Sequence, residues 1–242
     1  MQPTYLADLT WPDVEALLER DDRLILVSGA TEQHGRHLPL GTDTIIPMTL
    51  AARLSARSGV PVAPQIPYGM SESHMAFPGT FTLTNDTLQA LYLEVIQSAY
   101  RQGWRRLFVL NGHGGNRAAW NWATSLAMKV KADLRVIVTH WWAEETVRAI
   151  ARQAVGRNEG HAGLEETAAV MVSRPHVVKL SEAEGHADAP DAIWSQPPEE
   201  VRAALPLGAI GANPAEATAD LGEQMLERLA RDYLAIIEGE WA

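Results

Sequence analysis

Several side chains that commonly bind metal ions are concentrated in the segment GATEQHGRHLPLGTD (29–43), directly after an apolar run. Glu32 and His34 alternate along an extended segment, so both can face one site while Gln33 faces away. Asp43 arrives after the following turn. Two carboxylates and an imidazole suit Zn²⁺, Mn²⁺ or Fe²⁺. A buried hydrogen-bonded network at the end of a strand is the alternative interpretation.

The segment NGHGGN (111–116) places a second imidazole in a glycine-rich turn between an apolar run and a helical segment. The glycines beside His113 allow the backbone to approach a ligand closely. Such a turn can also bind phosphate at the start of a helix. However, this turn lacks the Lys-Ser/Thr pair of a P-loop and the spacing of GxGxxG, which favours a metal-binding role for His113.

The segment EGHAGLEET (159–167) adds a third imidazole and two carboxylates. If a helix starts at Gly163, His161 lies just before it and Glu166 lies in its first turns, so both can point to the same cleft. Glu165, the neighbour of Glu166, should face another direction. The alternative for the two glutamates is that their charge complements the dipole of the helix.

The segment YGMSESHMAFPGTFTL (68–83) has the composition of a substrate-pocket loop, with Ser71 and His74 as candidate contacts. A serine-based catalytic triad is disfavoured because no G-x-S-x-G elbow follows a strand. Trp142 ends another apolar run and could form a pocket wall, with core packing as the alternative. For His37 a structural role is predicted.

Short apolar runs alternate with amphipathic segments along the chain, which is typical of an α/β fold. A cap at Asn85 or Asp86 should start one helix, and Pro214 should lie in the first turn of the last one. Strands are predicted at 23–30, 60–69 (irregular), 105–110 and 134–142, and helices at 85–103, 117–131, 163–173 and 214–239.

This alternation predicts a three-layer α/β/α sandwich with a mostly parallel central sheet. In such a fold the site lies beyond the carboxyl ends of the strands. The polar residues after Ala30, those after Leu110, and His140 should therefore meet at one edge. The segment 181–212, read as a long loop with one helical turn, should serve either the site or an assembly interface.

Composition limits the possible functions. A net charge of −10 without a run of Lys or Arg argues against binding to nucleic acid, and the absence of cysteine excludes thiolate sites. No apolar run is long enough to span a membrane, and the N-terminal segment has no features of an export signal. We therefore expect one cytoplasmic domain over residues 1–242.

Taken together, the motifs GATEQHGRHLPLGTD, PYGMSESHMAFPGT, NGHGGN, HAGLEET and GAIGANPAEATADLGEQML resemble those of the creatininase (creatinine amidohydrolase) family, in order and across almost the whole chain. The resemblance implies a three-layer α/β sandwich, a homo-oligomer (a hexamer in creatininase itself), and a hydrolase of small amides with two divalent ions. It implies these roles: Glu32 and His113 on one ion, His34 on the other, Asp43 bridging both, Glu166 as a further ligand with a catalytic role, and His161 as the catalytic acid/base.

The chain departs from creatininase itself at two places. Gly114 and Gly115 stand where creatininase has a tyrosine and a metal-binding glutamate. Arg157 and Asn158 stand where it has a tryptophan and an aspartate that contact creatinine. Gly114 and Asn158 remain candidate substrate contacts here, but the differences point away from creatinine as the substrate.

The predicted reaction is hydrolysis of the C–N bond of a small cyclic amide or a formamide, by a water that the metals activate and with His161 as acid/base. Other members of the family suggest a peptidase or a deformylase in cofactor maturation. A two-metal phosphoesterase and a metal-binding protein without catalysis are the alternatives from other classes.

Overall fold

The computed structural model describes residues 1–156, 160–190, 192–211 and 213–239, so the predicted contact Asn158 and its neighbour Arg157 lie outside the described residues. Three strands form one sheet: β1 (Arg23–Ser28), β2 (Arg106–Asn111) and β3 (Arg135–His140). The α-helices in the described ranges are α1 (Trp11–Leu18), α2 (Thr42–Ser58), α3 (Asn85–Gln102), α4 (Arg117–Val130), α5 (Glu145–Val155), α6 (Leu164–Ser173), α7 (Pro198–Ala204) and α8 (Ala219–Gly239).

The three strands are parallel, and their carboxyl ends lie side by side. Ser28, Asn111 and His140 occupy equivalent positions at the ends of β1, β2 and β3. The predicted irregular strand 60–69 contributes isolated parallel bridges beside β1, at Val62 and Ile66, instead of a continuous strand. Its prolines explain this, because each of them lacks the N–H that a strand ladder requires.

Alternate residues of the strands pack against helices on opposite faces of the sheet. Ile25 and Phe108 belong to a core shared with α2, α5, α6 and α8. Their neighbours Leu24 and Leu107 belong to a second core shared with α3 and α4. The predicted three-layer α/β/α sandwich with a parallel sheet is therefore confirmed. No helix within the described ranges combines the length and the apolarity needed to cross a lipid bilayer.

Several predicted details of the helices were wrong. The cap of α3 is Thr84, whose hydroxyl oxygen accepts the Thr87 N–H at 3.2 Å, and neither Asn85 nor Asp86 is the cap. The last helix does not start at Pro214, which lies in a separate 3₁₀ turn, because Ala217 is extended. Segment 181–212 also contains more structure than one turn, since α7 lies within it.

Gly222 is expected to be essential for packing α8 against α6. A Cβ atom at this position would lie 2.0 Å from the Ala168 carbonyl oxygen, which belongs to the backbone of α6. We therefore expect Gly222→Ala to lower the free energy of unfolding by about 2–3 kcal/mol, measured by urea denaturation. Gly239→Ala is the matched control, since a Cβ there meets nothing within 4 Å. Equal stabilities of the two variants would contradict this account of the interface.

Candidate metal centre

The start of α2 lies directly against the ends of β1 and β2, and two glycines make this approach possible. A Cβ atom on Gly29 would lie 2.4 Å from the Asp43 carbonyl oxygen, and one on Gly112 would lie 1.8 Å from the same atom. Only residues without a side chain fit there. The carboxylate of Asp43, in the first turn of α2, is thereby held between the segments that follow the two strands.

One group of possible metal ligands combines these segments. Glu32 follows β1, His113 follows β2, and Asp43 lies between them; the ligand atoms are all within 4.8 Å of one another. His113 Nδ1 is 2.9 Å from Asp43 Oδ2, and His113 Nε2 is 3.4 Å from Glu32 Oε2. All three side chains are buried.

A second group uses the other oxygen of Asp43. His34 Nε2 is 3.1 Å from Asp43 Oδ1 and 3.8 Å from Glu166 Oε2, and the three residues again offer ligand atoms within 4.8 Å. A third possible group, Glu32, His34 and His161, overlaps with both. Two neighbouring ions that share Asp43 would match this arrangement.

The donor set fits divalent metal ions. Glu32 Oε2 and Asp43 Oδ2 are buried and accept no hydrogen bond within the described part of the chain. His113 Nδ1 lies close to Asp43 Oδ2, but the two atoms are not oriented as a hydrogen bond. A buried carboxylate oxygen without a hydrogen bond is costly unless a cation compensates it. Imidazole and carboxylate ligands suit Zn²⁺ and Mn²⁺.

The electrostatics of the cluster support this interpretation. Burial opposes protonation of His34, but the charges of Asp43 and Glu166 outweigh it and raise the pKa of His34 to about 10. The pKa of His113 is likewise raised to about 9, because neighbouring carboxylates outweigh its burial. Burial raises the pKa of Glu166 to about 7. Protonated imidazoles thus supply the positive charge that bound cations would replace, with release of protons.

His161 lies between the end of α5 and the start of α6, with Nδ1 3.7 Å from Glu32 Oε1. The next residue, Ala162, has φ = 54°, and its N–H donates to Glu166 Oε2 at 2.6 Å. This hydrogen bond fixes the turn that carries the imidazole. Burial, followed by the positive charge of His34, holds the pKa of His161 well below its usual value. The ring is therefore neutral at pH 7.

Asparagine side chains hold the loop that carries His113. Asn111 Oδ1 accepts the His113 N–H at 3.2 Å, and Asn111 Nδ2 donates to the His113 carbonyl at 2.8 Å. Asn116 Nδ2 donates to the Gly29 carbonyl at 3.0 Å, which ties this loop to the segment after β1. His140 belongs to none of the three ligand groups and lies 3.1 Å from Asn111 Nδ2 through its Nδ1 atom.

A cavity of about 690 Å³ opens over the ligand groups. Among the predicted substrate contacts, His74, Gly114 and Trp142 line it, whereas Ser71 is not among the described lining residues. Ser71 is buried, with its hydroxyl 3.4 Å from His113 Nε2. Glu165 also lines the cavity but, unlike Glu166, belongs to none of the three ligand groups.

Three residues of this region escaped the sequence-based prediction. Gln33 contacts the site instead of facing away, since its amide nitrogen is 3.0 Å from His161 Nε2. Trp194 lines the cavity and stacks on His74 with ring centroids 4.5 Å apart. Arg148, on α5, also lines the cavity. The unusual length of segment 181–212 was a signal for Trp194, and alternation misled the prediction for Gln33.

His37, for which a structural role was predicted, lies under α6. It is buried, and its Nε2 atom is 3.0 Å from the hydroxyl of Thr167. That hydroxyl donates to the Gly163 carbonyl at 2.7 Å. Burial, followed by the charge of His34, lowers the pKa of His37 to about 4, so this imidazole is neutral. Its contacts connect the segment after β1 to the start of α6.

Known proteins share this sequence and fold. The family model described as creatinine amidohydrolase (creatininase) matches residues 7–237. The chain is 28% identical over 198 residues to creatinine amidohydrolase of Pseudomonas putida, covering 75% of this chain and 76% of that protein. It is 30% identical over 239 residues to the mycofactocin precursor peptide peptidase of Mycobacterium ulcerans, covering 94% of this chain and 85% of the relative.

Solved structures agree with the sequence comparison. A crystal structure of creatinine amidohydrolase (creatininase) superimposes with a TM-score of 0.87 at 26% identity, covering 99% of this chain and 98% of the other. Further creatininase structures at TM-scores of 0.85 and 0.86 are a manganese form and a mutant of the Zn–Zn type. The family predicted from the motifs is thus confirmed, and the chain is a hydrolase of the creatininase family.

Proposed function

We propose that this chain hydrolyses an amide C–N bond with two divalent ions, Zn²⁺, Mn²⁺ or Fe²⁺. In this proposal Glu32 and His113 would hold one ion, His34 and Glu166 would hold the other, and Asp43 would serve as a ligand in both groups. The observation that carries the proposal is the pair of ligand groups that share Asp43 at the base of the cavity. The manganese and Zn–Zn forms of creatininase are consistent with it.

When bound, the ions would polarise the amide carbonyl and lower the pKa of a water molecule toward neutrality. The remaining chemistry is proton transfer, which we assign to His161. An amine leaves an amide readily only when its nitrogen is protonated. A neutral His161 beside Glu32 can accept a proton from the attacking water and deliver it to the leaving nitrogen. Glu166 supports this role by fixing the turn at Ala162.

The shape and polarity of the cavity limit the substrate. Trp141, Trp142 and Trp194 give it aromatic walls, which favours planar or apolar groups beside the amide. Arg148 is the sole Arg or Lys among the described lining residues, which argues against a phosphoesterase acting on polyanions. A small cyclic amide or a formamide therefore remains our first candidate.

A peptide substrate is the second candidate. It is favoured by the match to a relative named a peptide peptidase, which extends over 94% of this chain. The cavity of about 690 Å³ also has room for a group larger than a small cyclic amide. In both cases the bond that breaks is an amide C–N bond, so the same residues would act.

The same proposal treats residues 1–242 as a single metallohydrolase domain, supported by the family match over 7–237. The ligands also come from segments spread between Glu32 and Glu166, which must fold together to form the site. Assembly of identical chains and a cytoplasmic location remain predictions from the sequence.

Elemental analysis of the purified protein, followed by a substrate panel, tests the proposed function. We expect about two Zn²⁺ or Mn²⁺ ions per chain and metal-dependent turnover of a cyclic amide, a formamide or a short peptide. The panel includes creatinine, and p-nitrophenyl phosphate serves as the phosphoesterase control. Protein that binds none of Zn²⁺, Mn²⁺ and Fe²⁺ would refute the metal centre. Turnover of the phosphate ester alone would refute amide hydrolysis.

A further inference from the structure

We propose that Gln33 is a positioning residue that determines which ring nitrogen of His74 and of His161 carries the proton. The proposal concerns hydrogen bonding inside the metal-loaded protein, and its catalytic consequence rests on the proposed function. Gln33 is buried, at 5% exposure, between the segment after β1 and the loop that ends at Gly208.

The contacts of the Gln33 side chain fix the orientation of its amide. Gln33 Oε1 accepts the backbone N–H of Gly35 at 2.9 Å, and Gln33 Nε2 donates to the Gly208 carbonyl at 2.9 Å. The opposite orientation would place an acceptor against the carbonyl and a donor against the N–H. Gly208 has φ = +73°, and a Cβ there would lie 2.2 Å from Gln33 Oε1, so the glycine permits this close packing.

The second hydrogen of the Gln33 amide determines the tautomer of His74. Gln33 Nε2 lies 2.9 Å from His74 Nδ1, which must accept because the amide nitrogen can only donate. A ring nitrogen that accepts a hydrogen bond carries no proton, so the His74 ring is neutral. Its proton is therefore on Nε2, which faces Glu32 Oε1 at 3.4 Å.

The backbone of Gln33 determines the tautomer of His161. His161 Nε2 is 2.9 Å from the Gln33 carbonyl oxygen, which can only accept, so this nitrogen carries the proton. The lone pair then lies on Nδ1, the nitrogen that faces Glu32 and the ligand groups. Gln33 Nε2 also lies 3.0 Å from this ring nitrogen, but its two hydrogens are directed to the Gly208 carbonyl and to His74 Nδ1, so this contact is not a hydrogen bond.

The two imidazoles are also held together. Their ring centroids lie 4.7 Å apart, and Trp194 covers both, at 4.5 Å from the His74 ring and 5.4 Å from the His161 ring. If the Gln33 amide is removed, His74 loses the donor to its Nδ1 atom and can take either tautomer. The Gln33 backbone carbonyl still sets the His161 tautomer, so the effect reaches His161 through the His74 ring packed against it, which is no longer held in one hydrogen-bonding arrangement.

Nitrogen NMR of protein labelled with ¹⁵N-histidine and loaded with Zn²⁺ tests this assignment directly. In the natural sequence we expect His74 and His161 each to show a single tautomer with the proton on Nε2. The variant Gln33→Met has nearly the same volume without the amide, and we expect averaged tautomer signals for His74. We expect kcat for an amide substrate to fall roughly 10–100-fold with little change in KM and an unchanged Zn²⁺ content.

A second variant and a control keep the assignment falsifiable. Gln33→Asn retains the amide but is one methylene shorter, so it should lose the His74 tautomer in the same way. Gln97→Met, on the exposed face of α3, should leave the spectra and the kinetics unchanged. A single His74 tautomer preserved in folded Gln33→Met or Gln33→Asn would overturn the proposal. So would a loss of activity that merely follows a loss of Zn²⁺. The spectra are recorded without substrate. They therefore test the tautomer assignment even if the protein does not hydrolyse amides.

Discussion

Replacing Asp43 by asparagine is expected to reduce metal content from two ions to less than one and to lower amide hydrolysis by about a thousandfold or more. Asp43 offers Oδ1 beside His34 and Oδ2 beside His113, so one carboxylate serves both ligand groups. Asparagine keeps the size but has one oxygen and no charge. Losing several kcal/mol of metal-dependent stabilisation corresponds to a rate loss of this order. Elemental analysis and kcat measure the two effects.

Glu72→Gln is the matched control for Asp43→Asn. Glu72 lines the same cavity and also loses a negative charge, but it belongs to none of the three ligand groups. We expect this variant to retain both ions and most of the activity. If Asp43→Asn retained two ions, Asp43 would not bridge them. If it lost one ion while the second remained bound, Asp43 would belong to one ligand group alone.

Most of the candidate metal ligands could be picked out of the sequence because each of them lies beside the end of a predicted strand or the start of a predicted helix. Glu32 and His113 follow apolar runs that had to be strands, and the ends of parallel strands meet at one edge of the sheet. His161 and Glu166 flank the start of a predicted helix, and α6 does start at Leu164. The end of a strand or the start of a helix fixes the direction of the adjacent side chains. Short segments of sequence were therefore sufficient to predict which side chains face the site.

The parts of the site that were missed depend on segments distant in sequence. Gln33 points to His74 and His161 because Gly208, 175 residues later, provides a carbonyl for its amide. Alternation along a strand could not predict this, since the segment after β1 is no longer a regular strand. Trp194 reaches the cavity because Ile193 and α7 pack on Phe77. The hydrophobic periodicity of one segment does not indicate which distant segments it contacts.

The sequence predicted the three-layer arrangement of the fold better than the positions of its individual helices. Residues 42–58 form the long helix α2, which the sequence-based prediction did not include, and Pro47 within it makes its helical pattern harder to recognise. The layers were nevertheless correct, because each strand has apolar residues toward both faces and therefore needs helices on both sides. Helix limits depend on single capping residues such as Thr84, which the hydrophobic period does not determine.

Replacing His161 by alanine is expected to lower kcat for amide hydrolysis by roughly 10²–10⁴-fold while both ions stay bound. The imidazole is neutral in the folded protein, and its Nδ1 atom faces Glu32 at 3.7 Å. It is therefore poised to accept a proton, and alanine removes this path without removing a carboxylate from the cluster. Metal content per chain and kcat, measured on the same preparation, separate the two effects.

His140→Gln provides the control, since His140 is also a partly buried imidazole at a strand end but belongs to none of the ligand groups. We expect this variant to keep close to normal activity. Because Glu32, His34 and His161 also form a possible ligand group, loss of one ion from His161→Ala would make His161 a ligand. Full activity with both ions bound would instead show that the proton passes through another group. Only a large fall in kcat with two ions retained is consistent with proton transfer by His161.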